Sequence, residues 1–225
     1  MRPQPELPVP SPARPARGEF VLRPLSPSAD SWLRCALADL PALLDDHCQC
    51  ELKAAMNALA MIGRNPQREA LVQALSSLAQ EELRHYRQVR ALQIQRHGPL
   101  SPPVRSPYVQ GLQKQRNPRI DRLLDELLVA AVIEARSCER FERLSEALSA
   151  EIAAHAPQEM DLRAVCDLYE SLIRSERGHA GLFARLAGDE FRPELVQIEL
   201  KRRLRLEVEL LDGLQRSARM HGGHH

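Results

Sequence analysis

The chain alternates long stretches of helical periodicity with short proline- and glycine-rich breaks. Apolar residues recur every three or four positions from about Asp30 to Gly63, the spacing that makes one buried face on a helix. "GRNP" at 63–66 interrupts the pattern, since glycine and proline end helices. The periodicity resumes from about Pro66 to His97 and stops again at "HGP". The loop "GPLSPPVRSP" holds four prolines, and a short helix is predicted at 107–115. Asn117-Pro118 reads as a cap followed by a first-turn proline, opening a third long helix that runs to about Ala150. Pro157 opens a fourth, which ends near "AGDEFRP", and residues 193–217 form a fifth with a charged face. Nothing reads as a strand. The pattern predicts an all-α fold, four long helices in a bundle with an additional C-terminal helix.

Six polar residues break the apolar stripes. Glu51 lies in line with Leu44, Ala55 and Ala58, and Glu134 with Leu127, Ala131, Cys138 and Phe141. Glu82 and His85 share a face with Leu75, Leu78 and Val89, and Glu176 and His179 share one with Tyr169, Leu172 and Phe183. With 20 Glu and 8 His in 225 residues, chance supplies roughly 0.7 Glu-x-x-His pairs, so the motif's occurrence alone carries little weight. Its direction carries more. Each long helix points one carboxylate inward, and alternate helices add a histidine one turn on.

This arrangement resembles the di-iron carboxylate pattern of ferritin-like bundles, with one Glu from each of two helices and Glu-x-x-His from each of the other two. Four carboxylates in a low-dielectric core repel one another unless cations neutralise them. Oxygen and imidazole donors suit iron or manganese better than structural zinc. The candidate metal ligands are therefore Glu51, Glu82, His85, Glu134, Glu176 and His179. Glu82 and Glu176 are expected to bridge two metals, Glu51 and Glu134 to be terminal, and each histidine to take one metal. Glu139 and Glu142 compete with Glu134 but lie on less apolar faces. Glu81 points about 100° away from Glu82 and reads as solvated. His47, one turn before Glu51, reads as a ligand's neighbour or a surface group, and Cys48, Cys50 and Cys138 as packing thiols.

Composition narrows the class. Residues 1–28 hold eight prolines and read as a flexible extension without a core of its own. Residues 29–217 form the bundle, and 218–225, ending in "HGGHH", read as a disordered tail with no part in the site. Net charge is +1, so no global basic field announces a nucleic-acid binder. Five cysteines without zinc-type spacing read as reduced thiols in a cytoplasmic protein. No run approaches 18 apolar residues, so no membrane partner is expected, nor is a signal peptide.

Four strings narrow the reading further: "DHCQCELKAAMNAL" around Glu51, "EELRHYRQV", "IEARSCERFERL" around Glu134, and "SERGHAGLF". Over about residues 30–215 the chain resembles the tRNA-(2-methylthio-N6-isopentenyladenosine) hydroxylase family, MiaE, and "SPPVRSPYVQGLQKQ" is similar to it too. "EARSCERF" is the most specific part. The resemblance implies a non-haem di-iron monooxygenase. Such an enzyme uses O2 and two electrons from an external reductase or ferredoxin-type donor to hydroxylate the isopentenyl side chain of the modified adenosine at tRNA position 37. It implies the same six ligands and a partner in the tRNA anticodon stem-loop. RNA-contact candidates are Arg64, Arg105, Lys114, Arg116, Arg119 and the "KRRLR" run at 201–205, with Tyr108 placed to stack on a base. Arg136 and Arg140, which flank Glu134, are candidate partners of Glu139. The alternatives are a ferritin-like iron-storage or peroxide-scavenging protein and a metal-free helical interaction module. A rubredoxin-type four-cysteine site, which a rubrerythrin-like peroxidase would add, has no counterpart here. The chain is expected to be a monomer, since no helix shows a spare apolar seam.

Overall fold

The computed structural model describes residues 22–154 and 160–224. Seven helices and no strand occur among them: α1 Asp30–Ala38, α2 Leu40–Arg64, α3 Glu69–His97, α4 Pro107–Lys114, α5 Arg122–Ala154, α6 Met160–Glu190 and α7 Pro193–Gly213. Among the described residues, no helix is long and apolar enough to cross a membrane.

Local chemistry sets most of the boundaries. Asp39 caps α2 by accepting from the Ala42 amide at 3.1 Å, with Pro41 in the first turn. Ser106 caps α4 in the same way, accepting from Val109 N at 3.3 Å. Gly98 ends α3 at a φ of 85°, in the left-handed region that favours glycine. The start of α5 differs from the expected Pro118. Asn117 instead makes a local turn, its side-chain oxygen accepting from Arg119 N at 3.1 Å. Its amide is drawn across to Glu199 on α7 at 2.9 Å. Asp121 takes the capping role and accepts from Leu123 N at 2.7 Å. The expected opening of α6 at Pro157 lies outside the described residues.

Helices α2 and α3 form one hairpin and α5 and α6 another, each joined by a short connection. The hairpins meet through α3 against α6, while α2 and α5 stand apart. α7 packs on α5, and α4 on α7. The apolar core is divided in two. One cluster joins Met61, Leu75, Leu127 and Phe183, and the other joins Trp32, Leu44, Phe141 and Tyr169. Five of the six candidate ligands come from the stretch of α2, α3 or α6 that lies between the two clusters, and Glu134 sits at the edge of the first cluster, beside Ala135.

The described segments 22–28 and 218–224 are built into the bundle. Residues 1–21 of the proline-rich extension lie outside the described residues, but Leu22 joins the first core cluster. Ser28 binds Glu139 through its amide at 2.8 Å and its hydroxyl at 2.7 Å. The disordered tail expected at 218–225 is corrected: residues 218–224 are held against α1, α2 and α5. Trp32 Nε1 donates to Arg219 O at 2.9 Å, and Arg140 donates to the carbonyls of Met220 and Gly222. Arg140 is fully buried, lies 4.1 Å over the Trp32 ring, and needs those carbonyls as acceptors. Gly223 passes so close to Leu214 that a Cβ there would meet its carbonyl oxygen at 1.8 Å. Polar backbone contacts of this kind leave no hydropathy signal.

Candidate metal centre

Glu51, Glu82, His85, Glu134, Glu176 and His179 are all buried, although they come from four helices. His85 Nδ1 lies 3.5 Å from carboxylate oxygens of Glu51, Glu82 and Glu176. His179 Nδ1 lies 2.9 Å from Glu82 and 3.6 Å from Glu176. The donor atoms of Glu82, His85, Glu176 and His179 all fall within 4.8 Å of one another. Glu51 joins on the α2 side through His85, and Glu134 on the α5 side close enough for the charge of Glu176 to act on it.

The electrostatics show the cost of bringing these groups together. Burial raises Glu134 well above the usual carboxylate range, and the charges of Glu176 and Glu82 add to it. Burial and Glu176 push Glu82 up to about 7. Burial opposes ionisation of Glu176 too, but contacts with His179, His85 and Glu134 overcome it and hold the group low. Glu51 is held below its usual value against burial by His47 and His85. Burial pushes His85 down, yet contacts with Glu176, Glu51 and Glu82 raise it to about 11. Glu176 and Glu82 raise His179 in the same way.

The unsatisfied atoms test whether a cation fits. Glu82 Oε1, His85 Nδ1, Glu176 Oε1 and His179 Nδ1 are buried, and none has a hydrogen bond of acceptable geometry. Unpaired buried polar atoms are costly, and these four share the interior of the cluster. A cation supplies what they lack. Four carboxylates also carry the charge that two dications would neutralise. The outer contacts orient the donors. His179 Nε2 is 2.9 Å from Glu81 Oε2, and a proton held there leaves the Nδ1 lone pair facing inward. His47 Nε2 lies 2.6 Å from Glu51 Oε1 and fixes that carboxylate.

The neighbours weighed in the sequence separate cleanly. Glu139 is engaged by Ser28 and Arg136, and Glu142 by Arg23 and Arg177, so neither enters the cluster. His47 is buried beside Glu51, and its place one turn earlier on α2 was the available signal. Glu81 is not merely solvated as expected. It pairs with His179 across the α3–α6 contact, which no pattern within α3 announces. Cys48 and Cys138 are buried packing thiols, each pushed up to about 12, chiefly by burial. Tyr108 cannot stack on a base: it is fully buried, its ring stacks on His221 at 4.6 Å, and its hydroxyl donates to Glu207. The "KRRLR" run also divides. Arg203 is buried against Asp125, and Arg202 pairs with Glu199, while Lys201 and Arg205 face solvent.

A cavity of about 580 Å³ opens where α2 and α5 stand apart. Ala54, Val109, Val129, Ala130 and Ile133 give it an apolar wall, and Glu134 brings it to the cluster. Lys53, Arg64, Arg116 and Arg122 also line it, with Asn57 and Gln113 offering amides. His221 belongs to this wall, a role that the sequence pattern did not suggest.

The fold and the cluster define the class: a ferritin-like helical bundle with a buried carboxylate–histidine group suited to metal binding. A sequence profile of the tRNA-(MS[2]IO[6]A)-hydroxylase (MiaE) family matches residues 19–222, and the chain belongs to that family. It is similar to the tRNA 2-(methylsulfanyl)-N(6)-isopentenyladenosine(37) hydroxylase of Pseudomonas putida, 37% identical over 202 residues that cover 88% of this chain and 90% of the relative. The Salmonella typhimurium protein of the same name is 26% identical over 247 residues, covering 88% and 86%. Among solved structures, a Synechococcus protein described as having aldehyde deformylating oxygenase activity superposes with a TM-score of 0.79. It is 36% identical, and the match covers 91% of this chain and 98% of that one.

Proposed function

We propose that this protein is an O2-dependent di-iron hydroxylase acting on the isopentenyl group of (methylthio-)N6-isopentenyladenosine at position 37 of tRNA. One observation carries the reading: an apolar cavity, flanked by arginines, leads from the surface to Glu134 beside the carboxylate–histidine cluster. The six residues Glu51, Glu82, His85, Glu134, Glu176 and His179 would hold two irons. Bound iron would supply the activation of O2 and the oxidising power that an allylic C–H bond demands. The balance is one O2, two electrons and two protons per substrate, giving one alcohol and one water.

The chain's own residues account for positioning. Ala54, Val129, Ala130 and Ile133 can enclose a branched five-carbon group and exclude water from the reacting carbon. Asn57 and Gln113 can pair with the edge of an unstacked adenine. Arg64, Arg116 and Arg122 are exposed enough to meet phosphates, as are Arg105, Lys114 and Arg119 nearby. Arg64 and Arg122 share Glu126, so each must exchange a carboxylate for a phosphate. We place the protein in the cytoplasm, with an external one-electron donor. The iron-storage or peroxide-scavenging alternative gives such a cavity nothing to bind.

Two measurements test this. Nucleoside analysis of tRNA from cells lacking the protein should show no hydroxylated prenyl-adenosine, with its unhydroxylated precursor accumulating. Equal hydroxylation with and without the protein would refute the substrate. Ile133→Trp should fill the cavity, lower hydroxylation at least about tenfold by displacing the prenyl group, and leave iron content unchanged. Undiminished turnover would show that the substrate enters elsewhere.

A further inference from the structure

The cavity described above serves one side of the cluster, between α2 and α5. The other side also reaches solvent, by a different route. His179 faces the cluster through Nδ1 and meets Glu81 Oε2 through Nε2 at 2.9 Å. The Glu81 side chain is 42% exposed, whereas that of His179 is 5% exposed. Two side chains therefore connect the buried cluster to the surface between α3 and α6. They open into a shallow depression of about 420 Å³ whose wall includes Arg174, Ser175, Gly178 and Arg185. Arg174 and Arg185 are exposed, and so is Arg84, one turn after Glu81 on α3.

We propose that this depression docks a small acidic one-electron carrier protein, and that His179 and Glu81 form the route by which its electrons reach the metal site. The inference rests on the di-iron reading, which requires two electrons from outside. Each reduced carrier gives up one electron and leaves oxidised, and two encounters reduce the site fully. Charge selects the partner: arginines surround a single carboxylate that His179 already engages, so the surface favours an acidic face. Gly178 places no side chain over this ground, which lets a partner approach the α6 backbone. Position supports the assignment as well. Both partners, the RNA and the carrier, are anionic, and opposite faces of the bundle let them bind together without repelling one another.

The test uses a reduced acidic [2Fe–2S] ferredoxin as the probe and the Arg174→Glu/Arg185→Glu protein. In anaerobic stopped-flow at low salt, ferredoxin should reduce the iron-loaded double variant at least about tenfold more slowly than the unsubstituted protein, and this difference should shrink as salt is added. Dithionite with methyl viologen should reduce both equally. Ferredoxin binding to the metal-free chain, followed by fluorescence anisotropy, should weaken by a similar factor. Glu81→Gln should slow reduction while leaving ferredoxin affinity within about twofold, a split that a purely structural role would not produce. Equal ferredoxin binding and reduction in the double variant would overturn the proposal. So would a loss of tRNA binding in place of ferredoxin binding, which would make the patch an RNA surface. The reduction and ferredoxin-binding measurements do not involve the nucleoside, so failure of the substrate assignment would be seen separately, in nucleoside analysis of tRNA.

Discussion

Glu176→Ala should reduce iron from about two per chain to less than about one after anaerobic reconstitution, and should lower hydroxylation on the order of a thousandfold or more. Glu176 is the hub of the cluster. Its carboxylate lies 3.5 Å from His85 Nδ1 and 3.6 Å from His179 Nδ1, and its charge acts on Glu134 as well. Removing it takes one negative charge from a site that would hold a cation by charge neutralisation, and it deprives both sides of the cluster of a shared anchor. The α6 backbone should tolerate the change, since alanine is the best helix former. Circular dichroism should therefore show an intact bundle. Glu209→Ala, on the exposed face of α7, is the control and should keep two irons. A Glu176→Ala protein that still holds two irons would show that the metal lies elsewhere.

The second large effect concerns stability. Arg136→Met should destabilise the protein by about 3–5 kcal/mol, the usual consequence of leaving a buried charge without its partner. Arg136 and Glu207 are both fully buried and pair through two parallel hydrogen bonds of 2.7 and 2.9 Å. The same guanidinium holds Glu139, the Ser26 carbonyl and the Ser28 hydroxyl. One side chain thus ties α5 to α7 and to the segment that leads into α1. A chain of this size should lose roughly 6–20 °C in Tm. Arg136→Met/Glu207→Leu should recover part of the loss, because Glu207 no longer stands as a buried charge without its partner, while Glu139 keeps its two hydrogen bonds from Ser28. Thermal unfolding of the metal-free proteins measures both. A single-variant loss below about 1 kcal/mol would mean that water or another group compensates for the missing guanidinium.

The two effects differ in how visible their residues were. Glu176 was legible in the sequence because it interrupts an apolar stripe, and an amphipathic helix exposes such an interruption through its period alone. Arg136 carried no such mark. It sits in "EARSCERF", two positions from Glu134, and its partner lies 71 residues away on α7. Helix ends followed the same division. Pro41, Ser106 and Gly98 announce theirs locally, whereas Asn117-Pro118 imitates a start that Asp121 in fact supplies: the Asn117 oxygen accepts from Arg119 N and closes only a local turn.

By itself, the sequence determined four long amphipathic helices, the inward direction of Glu51, Glu82, His85, Glu134, Glu176 and His179, and the family likeness. Each of these depends on residues close together in the chain or on contiguous strings. The tertiary structure decided the rest: that the six side chains meet, that Glu81 reaches His179 across two helices, that Tyr108 is buried beneath His221, and that the last residues close the bundle instead of leaving it. These are contacts between segments far apart in the chain. They depend on how helices separate and cross, and on backbone carbonyls that any residue could present, so no local pattern encodes them.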